Sequence, residues 1–394
     1  MNALGYIIWN FDPELYSGTP TIRWYGLLFA LGFLISQQIL FYIYKNEAGP
    51  DLEKKKYAEK LVENLTVYMI LATVIGARLG HVAFYQPEDY FTSFEGIIRI
   101  FNIREGGLAS HGAAIGIILV LILFSKYKWN TKEGKLSKLF FIKYDRGYSF
   151  LQIIDRIVIV VALTGALIRF GNFTNSEIIG IPTGSDNGVV FARDVTEFLE
   201  YDPTGSGWVN KIYYEQNQDK EINENGYVPI LIYIEFKKRN YDERQLRSYL
   251  DNSVNVKLAG VRSHIDEPTF HDLEYELVKL KDGTYMAKIA TYGIARYPAQ
   301  LYESATTFLL FVFLFYIWTR RKKETTPGLL FGIFLVILFT LRFFHEMIKE
   351  NQVSFEDSME LNMGQWLSIP MVILGIVILI YITRKKKATE IPNE

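Results

Sequence analysis

Residues 104–124 read REGGLASHGAAIGIILVLILF, a polar and glycine-rich run that leads directly into an uncharged apolar stretch. Arg104, Glu105 and His111 therefore lie at the mouth of a predicted membrane span, where ionisable groups are costly and usually functional. The small residues around His111 allow a neighbouring helix or a lipid headgroup to approach the backbone closely. This stretch predicts a membrane span with a polar site at its entrance.

Apolar runs of about 20 residues, the length that crosses a bilayer, occur seven times in the chain. They cover residues 22–44, 61–85, 106–125, 150–170, 299–319, 328–348 and 364–383. The second and fourth runs are the weakest, because charged or titratable residues interrupt them. We therefore expect an all-α polytopic membrane protein with seven transmembrane helices.

The basic residues are sorted by side of the predicted membrane. If seven helices alternate, the segments after helices one, three, five and seven share one side and hold twenty Lys and Arg residues. The opposite short segments, 1–20, 86–105 and 349–363, hold three. Because short cytoplasmic loops are enriched in Lys and Arg, we expect the amino terminus outside and the carboxyl terminus inside. The first apolar run is then a retained helix, not a cleaved signal peptide.

The composition excludes several classes of chemistry. Hydrophobic residues make up 49% of the chain, yet the mean hydropathy is only +0.09, so a polar block must be separate from the spans. The absence of cysteine excludes disulfides, thiolate metal sites and a cysteine nucleophile within the chain. With a net charge of -1 and basic residues sorted by side, nucleic acid is not an expected partner.

A polar block occupies about residues 181–296, between the fourth and fifth spans. Within it, residues 228–236 are apolar and β-branched, and residues 254–261 alternate as a strand would. Residues 275–290 contain a Lys281-Asp282-Gly283 turn between two strand-like arms, which predicts a hairpin. The block is therefore expected to fold as a β-rich or α+β module.

These observations divide the chain into three predicted segments. Residues 1–182 contain helices one to four with a site at the outer face, and residues 183–296 form the exoplasmic insert. Residues 297–394 contain helices five to seven and a basic cytoplasmic tail.

Polar side chains inside the predicted spans collect at one depth. With the amino terminus outside, six helices carry them at their outer ends. They are Arg23, Tyr25, Arg78, His81, His111, Arg169, Asn172, Asn175, Glu177, Gln300, Tyr302, Glu303, Arg342, His345 and Glu346. A channel or transporter would place polar groups at the midplane or along a pore. We therefore expect a substrate in the outer leaflet, and arginines suited to bidentate contact with phosphate favour a phospholipid headgroup.

Six motifs carry a resemblance to a known family. They are RWYG at 23–26, GARLG at 76–80, EGGLASHGAAIG at 105–116, RFGNFTNSEIIG at 169–180, YPAQLYE at 297–303 and RFFHE at 342–346. In this order the chain resembles the bacterial phosphatidylglycerol:prolipoprotein diacylglyceryl transferase family. The resemblance implies transfer of diacylglyceryl from phosphatidylglycerol to the lipobox cysteine of a preprolipoprotein, forming a thioether and releasing glycerol phosphate. It also implies a multi-pass protein of the bacterial inner membrane in contact with membrane lipid.

The resemblance further implies roles for particular residues. Arg169 and Arg342 would hold and neutralise the leaving phosphate. His111 would accept the proton of the attacking thiol or, alternatively, orient the donor lipid. The positions implied in substrate binding are Tyr25, Asn172, Glu177, Gly180 and Glu346. No metal or other cofactor is expected, since guanidinium groups can neutralise the leaving group.

These residues also have structural interpretations. The two arginines can be partners of Glu177 and Glu346, although intramembrane charges are usually functional. Tyr25 can be an ordinary aromatic anchor at the membrane interface. The residues expected to serve in packing or ion pairs are Arg78, His81 and Glu303.

Alternatives to the transferase also remain open. A lipid-binding assembly factor or a transporter of the inner membrane could use a similar pocket without transferase chemistry. The insert is longer than the short segment typical of the family, so the resemblance implies no role for it. It could guide the preprolipoprotein or be a tolerated surface insertion.

Overall fold

The structure, a computed structural model, describes residues 5–18, 21–84, 87–102, 109–129, 141–143, 147–201, 207–239, 241–267, 272–351 and 354–390. Its helices are α1 (Trp24–Ala48), α2 (Leu52–Phe84), α3 (Pro87–Phe91), α4 (Phe94–Arg99), α5 (Ser110–Lys126), α6 (Phe150–Thr174), α7 (Arg193–Glu200), α8 (Glu243–Tyr249), α9 (Asn255–Gly260), α10 (Ala299–Arg321), α11 (Leu329–His345) and α12 (Met363–Glu390). Short 3-10 segments lie at Lys322–Glu324, Glu346–Ile348 and Ser354–Ser358, and a π-helical segment lies at Leu250–Val254.

Ten strands accompany these helices within the described residues. They are β1 (Tyr6–Trp9), β2 (Glu14–Tyr16), β3 (Ile22–Arg23), β4 (Tyr127–Trp129), β5 (Phe141–Lys143), β6 (Gly188–Phe191), β7 (Val209–Gln216), β8 (Val228–Phe236), β9 (Tyr275–Lys279) and β10 (Tyr285–Gly293). Strands β2 with β3 and β4 with β5 form short antiparallel pairs.

Six helices of the described chain are long and apolar enough to cross a membrane. They are α1, α2, α6, α10, α11 and α12. The third predicted span, 106–125, corresponds to α5, which has 17 residues and a shorter apolar stretch. Residues 106–108 of that span lie outside the described residues. The chain is therefore a polytopic helical membrane protein with six candidate spans, and a seventh span stays a prediction.

The chain forms two compact units, both discontinuous in sequence. The first comprises residues 1–30, 166–306 and 341–367, and the second comprises residues 31–165, 307–340 and 368–394. Helices α1, α6, α10, α11 and α12 contribute residues to both units.

The second unit contains a close contact between α2 and α5 that depends on glycine. Gly76 and Gly80 on α2 face Gly112 and Gly116 on α5, and each pair is spaced four residues apart. A Cβ added at Gly112 would lie 2.6 Å from the Cα of Gly80 and would collide with the main-chain oxygen of Gly76. Small residues at this spacing let two helix backbones touch, which supports packing where lipid offers no hydrophobic driving force.

The charges that interrupt the fourth predicted span are buried and partnered in the second unit. The Asp155 carboxylate accepts hydrogen bonds from the main-chain nitrogens of Gly328 and Phe331, both at 2.8 Å, and so caps the start of α11. Arg156 pairs with Glu47 through Nη2 and Oε1 at 3.0 Å. Asp155 and Arg156 are 0% and 1% exposed. Their charges are therefore compatible with a membrane helix because each has a partner.

The first unit contains a four-stranded antiparallel sheet in the order β7-β8-β10-β9. The predicted strand at 228–236 is confirmed as β8, and the predicted hairpin at 275–290 is confirmed as β9 and β10. Gly283 has a φ of +86° in the turn, a conformation that glycine adopts without cost. Hydrogen bonds from Thr284 hold the pKa of the Asp282 carboxyl below its usual value, which favours the ionised form of this carboxylate in the turn.

The predicted strand at 254–261 is wrong, because these residues are helical. They belong to a continuous run that begins with α8 and passes through the π-helical segment into α9. Leu246, Leu250, Val254 and Leu258 are all 0% exposed and recur every four residues. That spacing places them on one helix face, which packs against the sheet core. The local alternation of apolar and polar residues was the weaker signal.

The amino-terminal segment belongs to the core of the same module. Strand β1 pairs in parallel with β6, which places Tyr6 opposite Gly188. The Tyr6 side chain is 1% exposed, and its hydroxyl donates a hydrogen bond to the carbonyl of Pro229. Burial raises the pKa of Tyr6 to about 12, so the hydroxyl remains a neutral donor at physiological pH.

We expect Gly112→Ala to destabilise the protein, because the new Cβ would overlap the α2 backbone. Overpacking of this kind costs about 1–3 kcal/mol. Gly26→Ala is the matched control, since a Cβ there meets nothing within 4 Å and alanine is the better helix former. Thermal unfolding of the purified protein in detergent measures both variants. An unchanged melting temperature for Gly112→Ala would contradict the backbone contact.

Candidate functional site

Five charged residues form a continuous ion-pair chain in the first unit. Arg169 Nε on α6 lies 2.7 Å from Glu303 Oε2 on α10. Glu303 Oε1 lies 2.9 Å from Lys349 Nζ, which also lies 3.0 Å from Glu346 Oε1. Glu346 Oε1 in turn lies 3.4 Å from Nη2 of Arg342, on α11. We call this set the ion-pair chain.

Burial varies along the ion-pair chain. The side chains of Lys349 and Glu303 are 4% and 7% exposed, whereas those of Arg169 and Arg342 are 25% and 37% exposed. A guanidinium has five N–H donors in a planar fork, so each arginine has donors beyond those that its carboxylate uses. The buried residues between the two arginines therefore hold two accessible guanidinium groups in place, an arrangement that suits binding of an anion such as phosphate.

A second set of contacts extends from Arg169 along the end of α6. Asn172 Nδ2 donates to Glu177 Oε2 at 3.4 Å, and its Oδ1 accepts from Arg169 Nη1 at 3.5 Å. Asn175 Nδ2 donates to Glu177 Oε1 at 2.7 Å. The main-chain oxygen of Glu177 accepts from Gln300 Nε2 at 2.6 Å. The structure thus brings Arg169, Asn172 and Glu177 together, and their roles at a substrate site stay a prediction.

The backbone around Glu177 is strained. Ser176 and Ile178 have φ values of 56° and 57°, and positive φ is especially unfavourable for the β-branched Ile178. The Glu177 nitrogen donates to the main-chain oxygen of Asn172 at 2.9 Å, which helps to hold this conformation. Backbone strain of this kind clusters at functional sites.

Gly180 occupies a position with no room for a side chain. A Cβ there would lie 2.8 Å from the main-chain oxygen of Ile348 and would collide with that of Tyr297. Gly180 forms an antiparallel bridge with Lys349, and its carbonyl accepts from Arg296 Nη1 at 2.9 Å. The structure therefore gives Gly180 a packing role beside the ion-pair chain, and a contact with substrate stays a prediction.

Tyr25 lies in the first unit, beside the end of α6. Its ring packs on Gly171, where an added Cβ would lie 3.0 Å from Tyr25 Cδ2, and it stacks on Phe29 with ring centroids 6.5 Å apart. Tyr25 therefore packs beside the end of α6, and its predicted role in substrate binding stays a prediction.

His111 belongs to the second unit, where it lies exposed on the first turn of α5. The start of this helix is attached to α2 by a hydrogen bond of 2.9 Å from the Ala109 nitrogen to the Ala77 oxygen. Arg104 and Glu105, which precede it in the opening motif, lie outside the described residues. The predicted role of His111 therefore stays a prediction.

Lys349 is not among the residues predicted from the sequence, where it counts only as a loop charge. The structure buries this lysine between two carboxylates. Its position three residues after Glu346 was the available signal, since such pairs meet on a helical turn. The expected ion-pair role of Glu303 is confirmed, and Arg169 pairs with Glu303 and not with Glu177.

The described part of the chain contains no candidate metal site. There, no group of three or more His, Asp or Glu side chains is placed to hold a metal ion.

The sequence matches the family Prolipoprotein diacylglyceryl transferase over residues 14–381. A phosphatidylglycerol–prolipoprotein diacylglyceryl transferase from Tolumonas auensis is 30% identical over 381 residues, covering 96% of this chain and 99% of the relative. Proteins of the same name from Bacteroides fragilis and Porphyromonas gingivalis are 29% and 30% identical, covering 98% and 96% of each chain. These alignments span nearly the whole of this chain and of each relative.

We expect Gly180→Ala to disrupt the bridge to Lys349, because the new Cβ would displace the Tyr297 and Ile348 carbonyls. Hydrogen–deuterium exchange at residues 179–182 and 347–350 should then accelerate. The matched control is Gly165→Ala, where a Cβ meets only Thr307 Cγ2 at an ordinary 3.5 Å. Wild-type exchange rates in Gly180→Ala would show that the site tolerates a side chain.

Proposed function

The chain belongs to the prolipoprotein diacylglyceryl transferase family, and we propose that it transfers diacylglyceryl from phosphatidylglycerol to a cysteine thiol of a prolipoprotein. The observation that carries this proposal is the ion-pair chain, with a partly exposed arginine at each end. It supplies donors for the phosphate that must be bound and then released. The relatives carry both substrates in their names.

The reaction places its charge where the arginines are. The thiol loses its proton, the sulfur forms a bond to a glycerol carbon of the lipid, and the bond from that carbon to the phosphate oxygen breaks. The electron pair of the broken bond leaves with glycerol phosphate, so negative charge grows on the leaving group. Arg169 and Arg342 would neutralise it, in a partly buried site where such stabilisation is stronger than in water.

The thiol needs a proton acceptor because a free cysteine has a pKa of about 8.5 and is mostly neutral at physiological pH. In our proposal His111 accepts that proton, and its exposure on the first turn of α5 supports access to an incoming peptide. The alternative role, orienting the donor lipid, also uses an exposed imidazole. In the first unit, the substrate-binding residues of our proposal are Tyr25, Asn172, Glu177, Gly180 and Glu346.

We further propose that α5 is a seventh span and that the amino terminus and the 183–296 module lie outside. Its 17 residues would cover roughly 25 Å, close to the apolar thickness of about 30 Å. The sorting of Lys and Arg supports the orientation. In this topology the ion-pair chain would open towards the outer leaflet, where a preprolipoprotein presents its lipobox.

We also propose that the module guides the preprolipoprotein, but deletion of part of the module would not test this role. Removing residues 196–288 would delete β7 and β8 and expose Tyr6, Val190 and Ala295, which share their core. Charge changes on the exposed sheet surface are the better test, because they leave that core intact.

We expect Arg169→Ala and Arg342→Ala each to lower transfer by at least about 100-fold, since each removes charge stabilisation from the transition state. His111→Gln should also lower it sharply. The assay follows labelled diacylglyceryl from phosphatidylglycerol to a lipobox peptide. Arg247→Ala is the control, because this arginine forms an exposed ion pair with Glu243 on the module surface.

Transfer by the wild-type protein separates the enzyme from a lipid-binding assembly factor. A lipobox peptide without cysteine should bind but give no product if the protein is an enzyme. Binding of both peptides without any product, by a folded protein, would overturn the proposed function.

A further inference from the structure

Lys349 connects the two halves of the ion-pair chain. It contacts Glu303 at 2.9 Å and Glu346 at 3.0 Å, and these carboxylates contact Arg169 and Arg342 respectively. We propose that Lys349 is a positioning residue that sets the spacing of the two arginines for one phosphate. This inference rests on the proposed function, because it concerns the phosphate of the donor lipid.

Burial makes the lysine necessary to the arrangement. The side chains of Glu303 and Glu346 are 7% and 12% exposed, and both direct Oε1 to the same ammonium. Two carboxylates brought so close in a partly apolar environment repel each other strongly. The ammonium of Lys349, at 4% side-chain exposure, offsets that repulsion and holds both carboxylates in place.

The lysine is itself held by the backbone on both sides. The Ile181 nitrogen donates to the Ile348 oxygen at 3.0 Å, and the Glu350 nitrogen donates to the Ile179 oxygen at 3.1 Å. Lys349 lies between these bonds, in the bridge with Gly180. Its ammonium therefore occupies a defined position and is not the end of a mobile loop.

Packing restricts Glu346 as well. A Cβ at Gly364 would lie only 2.5 Å from Glu346 Cδ, so the carboxyl group contacts the start of α12 directly. The Asn362 side chain also donates to the Glu346 main-chain oxygen at 3.3 Å. These contacts restrict Glu346 on one side. If loss of Lys349 shifts the Glu346 carboxylate, the guanidinium of Arg342, which pairs with it, shifts as well.

Lys349 also affects the net charge around the two arginines. The ion-pair chain holds three cations and two carboxylates, and Glu177 adds a third carboxylate, which contacts Arg169 through Asn172. Without Lys349 the carboxylates would outnumber the arginines. Binding of a lipid phosphate, which is an anion, should then weaken.

The test compares Lys349→Met and Lys349→Arg with wild type in two assays. We expect Lys349→Met to weaken phosphatidylglycerol binding and to lower kcat/KM for transfer by about tenfold or more, because buried carboxylates lose their partner. Binding of diacylglycerol, which has no phosphate for the arginines to hold, should stay unchanged. Lys349→Arg keeps the charge and should restore most of both losses. Lys220→Met, which removes a lysine from a more exposed pair with Glu274, is the control and should change neither assay.

A double variant distinguishes positioning from direct contact with phosphate. If Lys349 acts through the carboxylates, adding Glu303→Gln to Lys349→Met should cost little more than Lys349→Met alone. Independent, multiplying losses would overturn the positioning role, as would wild-type phosphatidylglycerol binding by Lys349→Met. Lipid binding is measured without turnover. Absence of transfer by the wild-type protein would therefore refute the proposed function, whereas the binding measurements would still decide the inference about the spacing of the arginines.

Discussion

A charge that leaves water must be neutralised by an opposite charge or by hydrogen bonds, and this constraint organises the polar site of the first unit. Glu303 and Lys349 are nearly fully buried, and each contacts two oppositely charged groups. The arginines at the ends stay partly exposed. The site therefore combines a fixed middle with accessible ends, which is the arrangement that binding and release of an anion require.

The same constraint has a different result in the second unit. Arg156 and Glu47 form a pair with almost no exposure, and the Asp155 carboxylate accepts hydrogen bonds from the main-chain nitrogens of Gly328 and Phe331 at the start of α11. Neither group has donors or acceptors directed to solvent, so these charges serve helix packing. Exposure at the ends of an ion-pair cluster, more than the presence of charge, thus separates a candidate site from a structural pair in this protein.

Much of the fold and part of the site could be predicted from the sequence because the signals were local. Strand β8 follows from its apolar, β-branched residues and the β9–β10 hairpin from a glycine turn between two strand-like arms, and Asn172 and Glu177 lie near Arg169 because all three belong to the end of α6 and the residues just after it. The strand predicted at 254–261 was wrong because two periodicities competed. Its buried residues recur every four positions, and contact with the sheet core selected the helix.

The sequence by itself determined the class of the protein, since the length of apolar runs and the placement of charges are read directly from the order of residues along the chain. It also marked the arginines as unusual, because an ionisable group in a membrane helix is costly wherever the helix lies. Only the tertiary structure decided that Arg169 pairs with Glu303 and that Lys349 completes the ion-pair chain. Arg169, Glu303 and Lys349 lie far apart in sequence, and their pairing depends on how the helices rotate and pack against one another, which no local pattern specifies.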